Sequence, residues 1–325
     1  MRVTPEFPSG RQIAARGAGW HRWVPGGYPA LFLGPAGMVV AALFLAPAVL
    51  TIVISVTNLS VATGLSHYQW VGLGNYSQIA HSPWLGLILR NTVIYVVCTL
   101  ILFNVGLALV LALLTAHLSE RAAGVFRVLW MLPRITPSVV YALMWRWAAA
   151  QSPYGIVSQL LGLAGVPGRN WMNVHPWAFV ISLNGFVGAS FGMIIFSSAI
   201  TAIPRDQYLA AQVDGASAWQ QVWRITVPRL RWPILFVTAY QTLSLLTSFE
   251  YILLTTNGGP GFYATEVWSL YAFHLALSNY FGNTQFGLGA ALAAILVVLG
   301  VGASVCYLRL FRFSELVSPP RIEVN

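Results

Sequence analysis

The chain has 325 residues, of which 57% are hydrophobic and 8% charged, with a formal net charge of +9. A water-soluble domain needs about 25% charged residues to clothe its surface, so a soluble globule is excluded and most of the surface must face lipid; the mean hydropathy of +0.70 agrees. All 17 basic side chains are Arg, and the lack of Lys excludes a phosphate-cradling P-loop and Schiff-base chemistry, so any nucleotide that drives this protein is bound by another chain.

Residues 1–27 are rich in Gly, Pro and Arg and read as a polar tail. The apolar run over 28–57 exceeds the roughly 7–15 residues of a signal-peptide core and reads as a retained membrane helix. Crossing a bilayer takes about 20 apolar residues, and six runs qualify: 28–57, 88–116, 125–149, 175–200, 233–255 and 286–311. The expected fold is all-α, a polytopic membrane protein of six transmembrane helices occupying 28–311, with a second tail at 312–325. Pro35, Pro47, Pro133 and Pro137 fall within spans and favour kinks. Cys98 and Cys306 sit in apolar runs and read as small buried hydrophobes, not a disulfide or zinc site. His21, His67, His81, His117, His175 and His274 are scattered, so no metal site is expected.

Arginine placement orients the chain. With the N-terminus inside, Arg2, Arg11, Arg16, Arg22, Arg121, Arg127, Arg205, Arg224, Arg229, Arg231, Arg309, Arg312 and Arg321 are cytoplasmic. Arg90 and Arg169 lie outside, and Arg134 and Arg146 fall within the third span. Cytoplasmic enrichment in basic residues puts both termini inside and accounts for the net charge without nucleic acid. Trp70 and Trp84 lie in the first outer loop, Trp145 and Trp147 end the third span, and Trp171 and Trp177 flank the fourth, as indoles at a membrane interface do.

The loop between spans four and five, residues 201–232, carries the functional argument. Pro204 and Asp206 mark a helix start. Tyr208, Leu209, Ala211 and Gln212 form a short helical piece. Asp214-Gly215 is a turn dipeptide, and Asp214 is expected to cap a second helix, Ala216 to Thr226, which Pro228 closes. The expected product is a cytoplasmic helix–turn–helix whose apolar residues need a protein partner. An interfacial amphipathic helix is the rival reading, and the internal turn argues against it.

Leu209-Ala210-Ala211, then Asp214-Gly215-Ala216, then Ile225 and Pro228, resembles the EAA loop of ATP-binding-cassette importer permeases. Leu254-Thr-Thr-Asn-Gly-Gly-Pro260, Phe286-Gly-Leu-Gly-Ala-Ala291 and Met131-Leu-Pro133 are similar to the maltose-transporter-type carbohydrate permeases within that family. Leu209 stands where the family has Glu, which puts one charge-assisted contact in doubt. The resemblance implies a non-catalytic permease subunit of a sugar importer in a bacterial cytoplasmic membrane. It implies ATP and Mg bound on two partner ATPase subunits, a second homologous permease, and an extracytoplasmic solute-binding protein. Residues 209–211 and 214–216 would dock into the ATPase and transmit its closure to span five.

Polar residues in membrane helices are costly and face a cavity or another helix. Gln241, Ser244, Ser248 and Tyr251 recur at helical spacing in span five, and Asn184, Gly188 and Phe191 in span four. Hydroxyls, amides and an aromatic ring are what a sugar requires; helix–helix packing by small polar residues is the alternative, and Gly188 with Gly192 has that spacing too. The resemblance points to the positions of Gly188, Gln241, Ser244 and Ser248 as substrate positions. Arg146 and Glu250 are expected near the outer ends of spans three and five, where they pair with each other or face the pathway; Glu250 lies on the opposite helical face from Gln241, which favours the pair. A disaccharide or oligosaccharide is the expected cargo, with glycerol-3-phosphate second. An ion-driven carrier would want an intramembrane carboxylate or His relay, for which only Glu250 is available.

Overall fold

The computed structural model describes residues 28–278 and 283–310. The expected tails, 1–27 and 312–325, lie outside the described residues. The chain divides into two compact units, Met1–Val53 and Ile54–Asn325.

The first unit contributes most of helix α1, residues 28–55. It runs as Tyr28–Val40, a π-helical turn at Ala41–Leu45, and Ala46–Ser55. From Leu33 to Val53 most of its side chains are exposed, and Leu33–Ser55 is long and apolar enough to cross a membrane.

The regular elements described in the second unit are helices joined by loops, with one isolated antiparallel bridge between Thr57 and Trp70. Short α2 (Gly74–Ala80) precedes the long α3 (Leu85–Ala116), which contains π-helical turns at Thr99–Leu107. Then come α4 (Glu120–Ile135), α5 (Ser138–Ala148), α6 (Ile156–Leu163), α7 (Trp171–Val174) and α8 (Pro176–Thr201). The segment after α8 forms α9 (Arg205–Val213) and α10, residues 218–229. The chain ends with α11 (Arg231–Thr247), α12 (Glu250–Thr255), α13 (Trp268–Leu277) and α14 (Phe286–Leu310).

Three apolar clusters hold the second unit together. Tyr95 and Val96 of α3 pack with Val180 and Ile181 of α8, Leu245 of α11, Ile252 of α12 and Leu270 of α13. Ala108 and Ala112 pack with Ala189 and Phe196 of α8 and with Leu230 and Val237. Ile79, Ile88, Trp268, Leu288 and Leu292 form the third. The small residues matter most where α3 meets α8: a Cβ on Gly192 would lie 2.7 Å from the Ala108 methyl. Without a hydrophobic effect inside lipid, such close backbone approach supplies the packing that holds helices together.

Two expected spans differ from single helices. Four helices are long and apolar enough to span, and α4 with α5 makes a fifth candidate only as a pair bent by 96°. The bend lies at Thr136 (ψ 134°) and Pro137 (ψ 134°), both extended. The pyrrolidine ring disfavours helical backbone in the preceding residue, so the expected helix over 125–149 divides there, and its first part begins earlier, at Glu120. The expected span 233–255 also divides. Ser248 is extended (φ −78°, ψ 115°), and a short α12 follows.

Candidate functional site

The segment between α8 and α11 forms a tight hairpin. α9 ends at Val213, Asp214 is its C-cap, and Gly215 adopts φ +77°. Gly215 N donates to Gln212 O (3.0 Å) and Ala216 N to Ala211 O (2.8 Å), the paired bonds that end a helix at a left-handed residue. Asp214 therefore closes the first helix and does not cap the second. That role falls to Ser217: its Oγ accepts from Gln220 N (3.3 Å), while Gln220 Oε1 accepts from Ser217 N (2.8 Å). This reciprocal capping box satisfies two orphan donors and sets the helix start at Ala218, not Ala216. Pro228 does not terminate the helix as expected, because π-helical turns at Val222–Thr226 precede it and the helix runs on to Arg229.

Tyr208 Oη and Thr226 Oγ1, 2.9 Å apart, tie the two arms together. Leu209, Ala210, Asp214 and Gly215 are exposed; Ala211 and Ala216 are half-buried. The hairpin presents Val213 at 89% exposure and Trp219 at 70%, with the Trp219 and Trp223 rings edge to face. So much apolar surface at a polar tip marks an interaction face.

Inside the helical body, the structure brings four of the expected pathway residues into two polar groups, one at Asn184 and Ser248 and the other at Gly188 and Gln241. Asn184 Nδ2 donates to Ser248 Oγ (3.0 Å) and to Tyr95 Oη. Tyr95 Oη and Ser248 Oγ are themselves 3.3 Å apart. Gln241 Nε2 donates to Gly188 O across 3.0 Å. Asn184, Gly188 and Gln241 are buried, so they join helices in this conformation. A Cβ on Gly188 would run into the Asn104 amide, which gives this glycine a packing duty. Ser244 is exposed, and Phe191 and Tyr251 are half-buried. The break at Ser248 means that Gln241, Ser244, Ser248 and Tyr251 do not share one continuous helix face.

Arg146 and Glu250 are not joined. Glu250 accepts from Ser138 Oγ at the start of α5, whereas Arg146 near its end donates to Leu254 O at 3.5 Å. Ser138 and Arg146 are eight residues apart, about 12 Å along a helix, so a carboxylate engaged by one does not reach the other. α12 instead runs alongside α5, with Tyr141 edge-on to Tyr251 at 6.2 Å.

Sequence reasoning missed three groups. Tyr95 is the hub of the buried network; its signal was the i, i+4, i+8 stripe Asn91, Tyr95, Thr99 in an apolar run. Arg134 lies with its guanidinium 5.2 Å from the Phe191 ring centroid. In the loop before α13, Glu266 Oε1 meets His274 Nδ1 at 2.8 Å, and His274 Nε2 lies 3.0 Å from Asn257 Oδ1. Burial pushes the Glu266 carboxyl above its usual range, and the hydrogen bond and charge of His274 oppose this. These residues line a cleft of about 650 Å³ with Gly258, Phe262 and Tyr271.

Comparison with known proteins follows the same lines. The model of the family described as "binding-protein-dependent transport system inner membrane component" matches residues 105–312. A sulfoquinovosyl glycerol transport system permease protein of Agrobacterium fabrum is 27% identical, covering 91% of this chain and 95% of its own. A probable ABC transporter permease protein of Pyrococcus horikoshii is 32% identical over 86% of this chain and 94% of its own. A trehalose/maltose transport system permease protein of Thermococcus litoralis is 29% identical, covering 77% and 83%. Among solved structures, a bacterial ABC transporter that imports the polysaccharide alginate has a chain of like fold, with TM-score 0.71, 23% identity and coverage of 95% and 100%.

Proposed function

This chain belongs to the family of binding-protein-dependent transport system inner membrane components, and from that membership we propose that it is one permease subunit of an ATP-driven saccharide importer. It supplies half of a translocation pathway and no catalytic residue. Two partner ATPase subunits hold ATP and Mg, a second homologous permease completes the pathway, and an extracytoplasmic binding protein delivers the cargo. The relatives named for sulfoquinovosyl glycerol and for trehalose and maltose support a saccharide cargo.

In this reading the chain crosses a bacterial cytoplasmic membrane six times with both termini inside. The bent pair α4–α5 makes the third crossing and α11–α12 the fifth. The hairpin over 201–232 is the coupling element. The observation that carries the proposal is its shape: a capped, cross-tied hairpin that leaves Val213, Trp219, Trp223 and Leu209 exposed. Stiff helices transmit displacement at one end to the other, and α10 leads almost directly into α11. ATP-driven closure of the ATPases would draw the hairpins together and switch the pathway from inward- to outward-facing.

Purification of the tagged chain from its native membrane tests this. It brings down a second permease and an ATPase, and proteoliposomes holding the complex take up saccharide only with ATP inside and binding protein outside. Uptake by this chain alone, driven by an ion gradient, overturns the proposal.

A further inference from the structure

Arg134 stands in the last turn of α4, just before the break at Thr136 and Pro137. Its guanidinium sits against Phe191, which lies near the middle of the 26-residue α8. The cation is therefore at mid-span depth, and its side chain is exposed. Among the described residues no carboxylate comes within salt-bridge distance of it. Arginines at this depth face a water-filled cavity or another polar chain, since hydrocarbon does not tolerate them.

The surroundings suit a ligand. The Phe191 ring is backed by Tyr240, with centroids 4.8 Å apart. Cation–π attraction to that pair holds the guanidinium and leaves its in-plane N–H groups as a fork for an oxyanion. Ser244 on α11 is exposed, and Tyr251 lies within electrostatic reach of both Arg134 and Glu250. Glu250 is engaged by Ser138 and repels an anion, which leaves Arg134 as the group that attracts the charged end of a cargo.

We propose that Arg134 reads an anionic group on the cargo, so that the substrate class is a saccharide bearing an oxyanion (carboxylate, sulfonate or phosphate). This rests on the reading of the chain as a saccharide permease. Guanidinium forms bidentate pairs with all three groups, which a Lys point charge does not reproduce.

The test uses the complete importer in nanodiscs with its binding protein, and follows ATPase stimulation by a panel of neutral, carboxylated, sulfonated and phosphorylated mono- and disaccharides. The expected result is stimulation by oxyanion-bearing members. Arg134→Gln raises their half-maximal concentration at least tenfold, and Arg134→Lys raises it less. Stimulation by neutral members alone overturns the inference while leaving the permease reading standing. An equal loss for neutral and anionic members in Arg134→Gln also overturns it, and assigns Arg134 to a structural pair with the partner permease. Silence across the whole panel defeats the saccharide reading itself.

Discussion

Asn184 of α8 and Ser248, at the end of α11, are joined by a 3.0 Å hydrogen bond in which the amide donates. The bond crosses the point where α11 gives way to α12, and the freed Ser248 carbonyl accepts from Ser269 Oγ at 3.3 Å. Both groups of Ser248 are thus engaged outside the helix, which explains why the helix divides there. Asn184→Leu removes both amide donors and leaves the Tyr95 and Ser248 hydroxyls to each other. Loss of a buried partner costs about 1–3 kcal/mol, so the purified permease should melt several degrees lower, and uptake should fall. An unchanged melting temperature would count against the network as a joint between α8 and α11.

Gly188 and Gln241 predict a contrast. Gln241→Leu forfeits one hydrogen bond to Gly188 O, a cost of about 1 kcal/mol. Gly188→Leu drives a side chain into the Asn104 amide and wedges α8 away from α3. Overpacking costs typically 1–3 kcal/mol or more, and the glycine variant should be the less stable in a thermal assay by a clear margin. The reverse order would place Gly188 on an open pathway wall.

The α4–α5 bend is measurable by spin labels at Val125 and Met144, both exposed. A straight helix separates these positions by about 28 Å, and the 96° bend brings them to roughly 20 Å. Pro137→Ala should move the distribution toward the longer distance, because it lifts the restraint on Thr136. A wild-type distance near the straight value would contradict the bend.

Glu266 predicts a pH dependence. Its folded-state carboxyl is raised above the ordinary 4.5, first by burial. A raised folded value gives stability that is complete below the unfolded pKa and lost as pH climbs through the folded one. Glu266→Gln removes this loss and keeps an oxygen for His274. The melting temperature of the variant should therefore gain on wild type as pH rises from about 4.5 through the raised folded value. A variant that falls behind wild type over that range would show that attraction to His274 outweighs burial.

Much of the helical fold was legible from apolar run lengths, because lipid forces backbone polar groups into helices. The hairpin was legible from Asp214-Gly215, though its second cap was misplaced: Ser217 and Gln220 satisfy each other, which a lone Asp214 does not match. The division at Pro137 had a visible cause, since the residue before a proline resists helix. The division at Ser248 did not, for it depends on Asn184 and Ser269, far away in sequence. The expected Arg146–Glu250 pair failed for the same reason, because it assumed a continuous span five. Tertiary hydrogen bonds that compete with a helix leave no local trace in sequence.

The proposed coupling role of the hairpin is tested most directly at Gly215. Nothing crowds the space where its Cβ would go, yet φ is +77°, so a β-branched residue there is strained by its backbone alone. Gly215→Val in the assembled importer should abolish ATPase co-purification and ATP-driven uptake together, while the permease pair stays intact. Full uptake with the ATPase still bound would contradict the account.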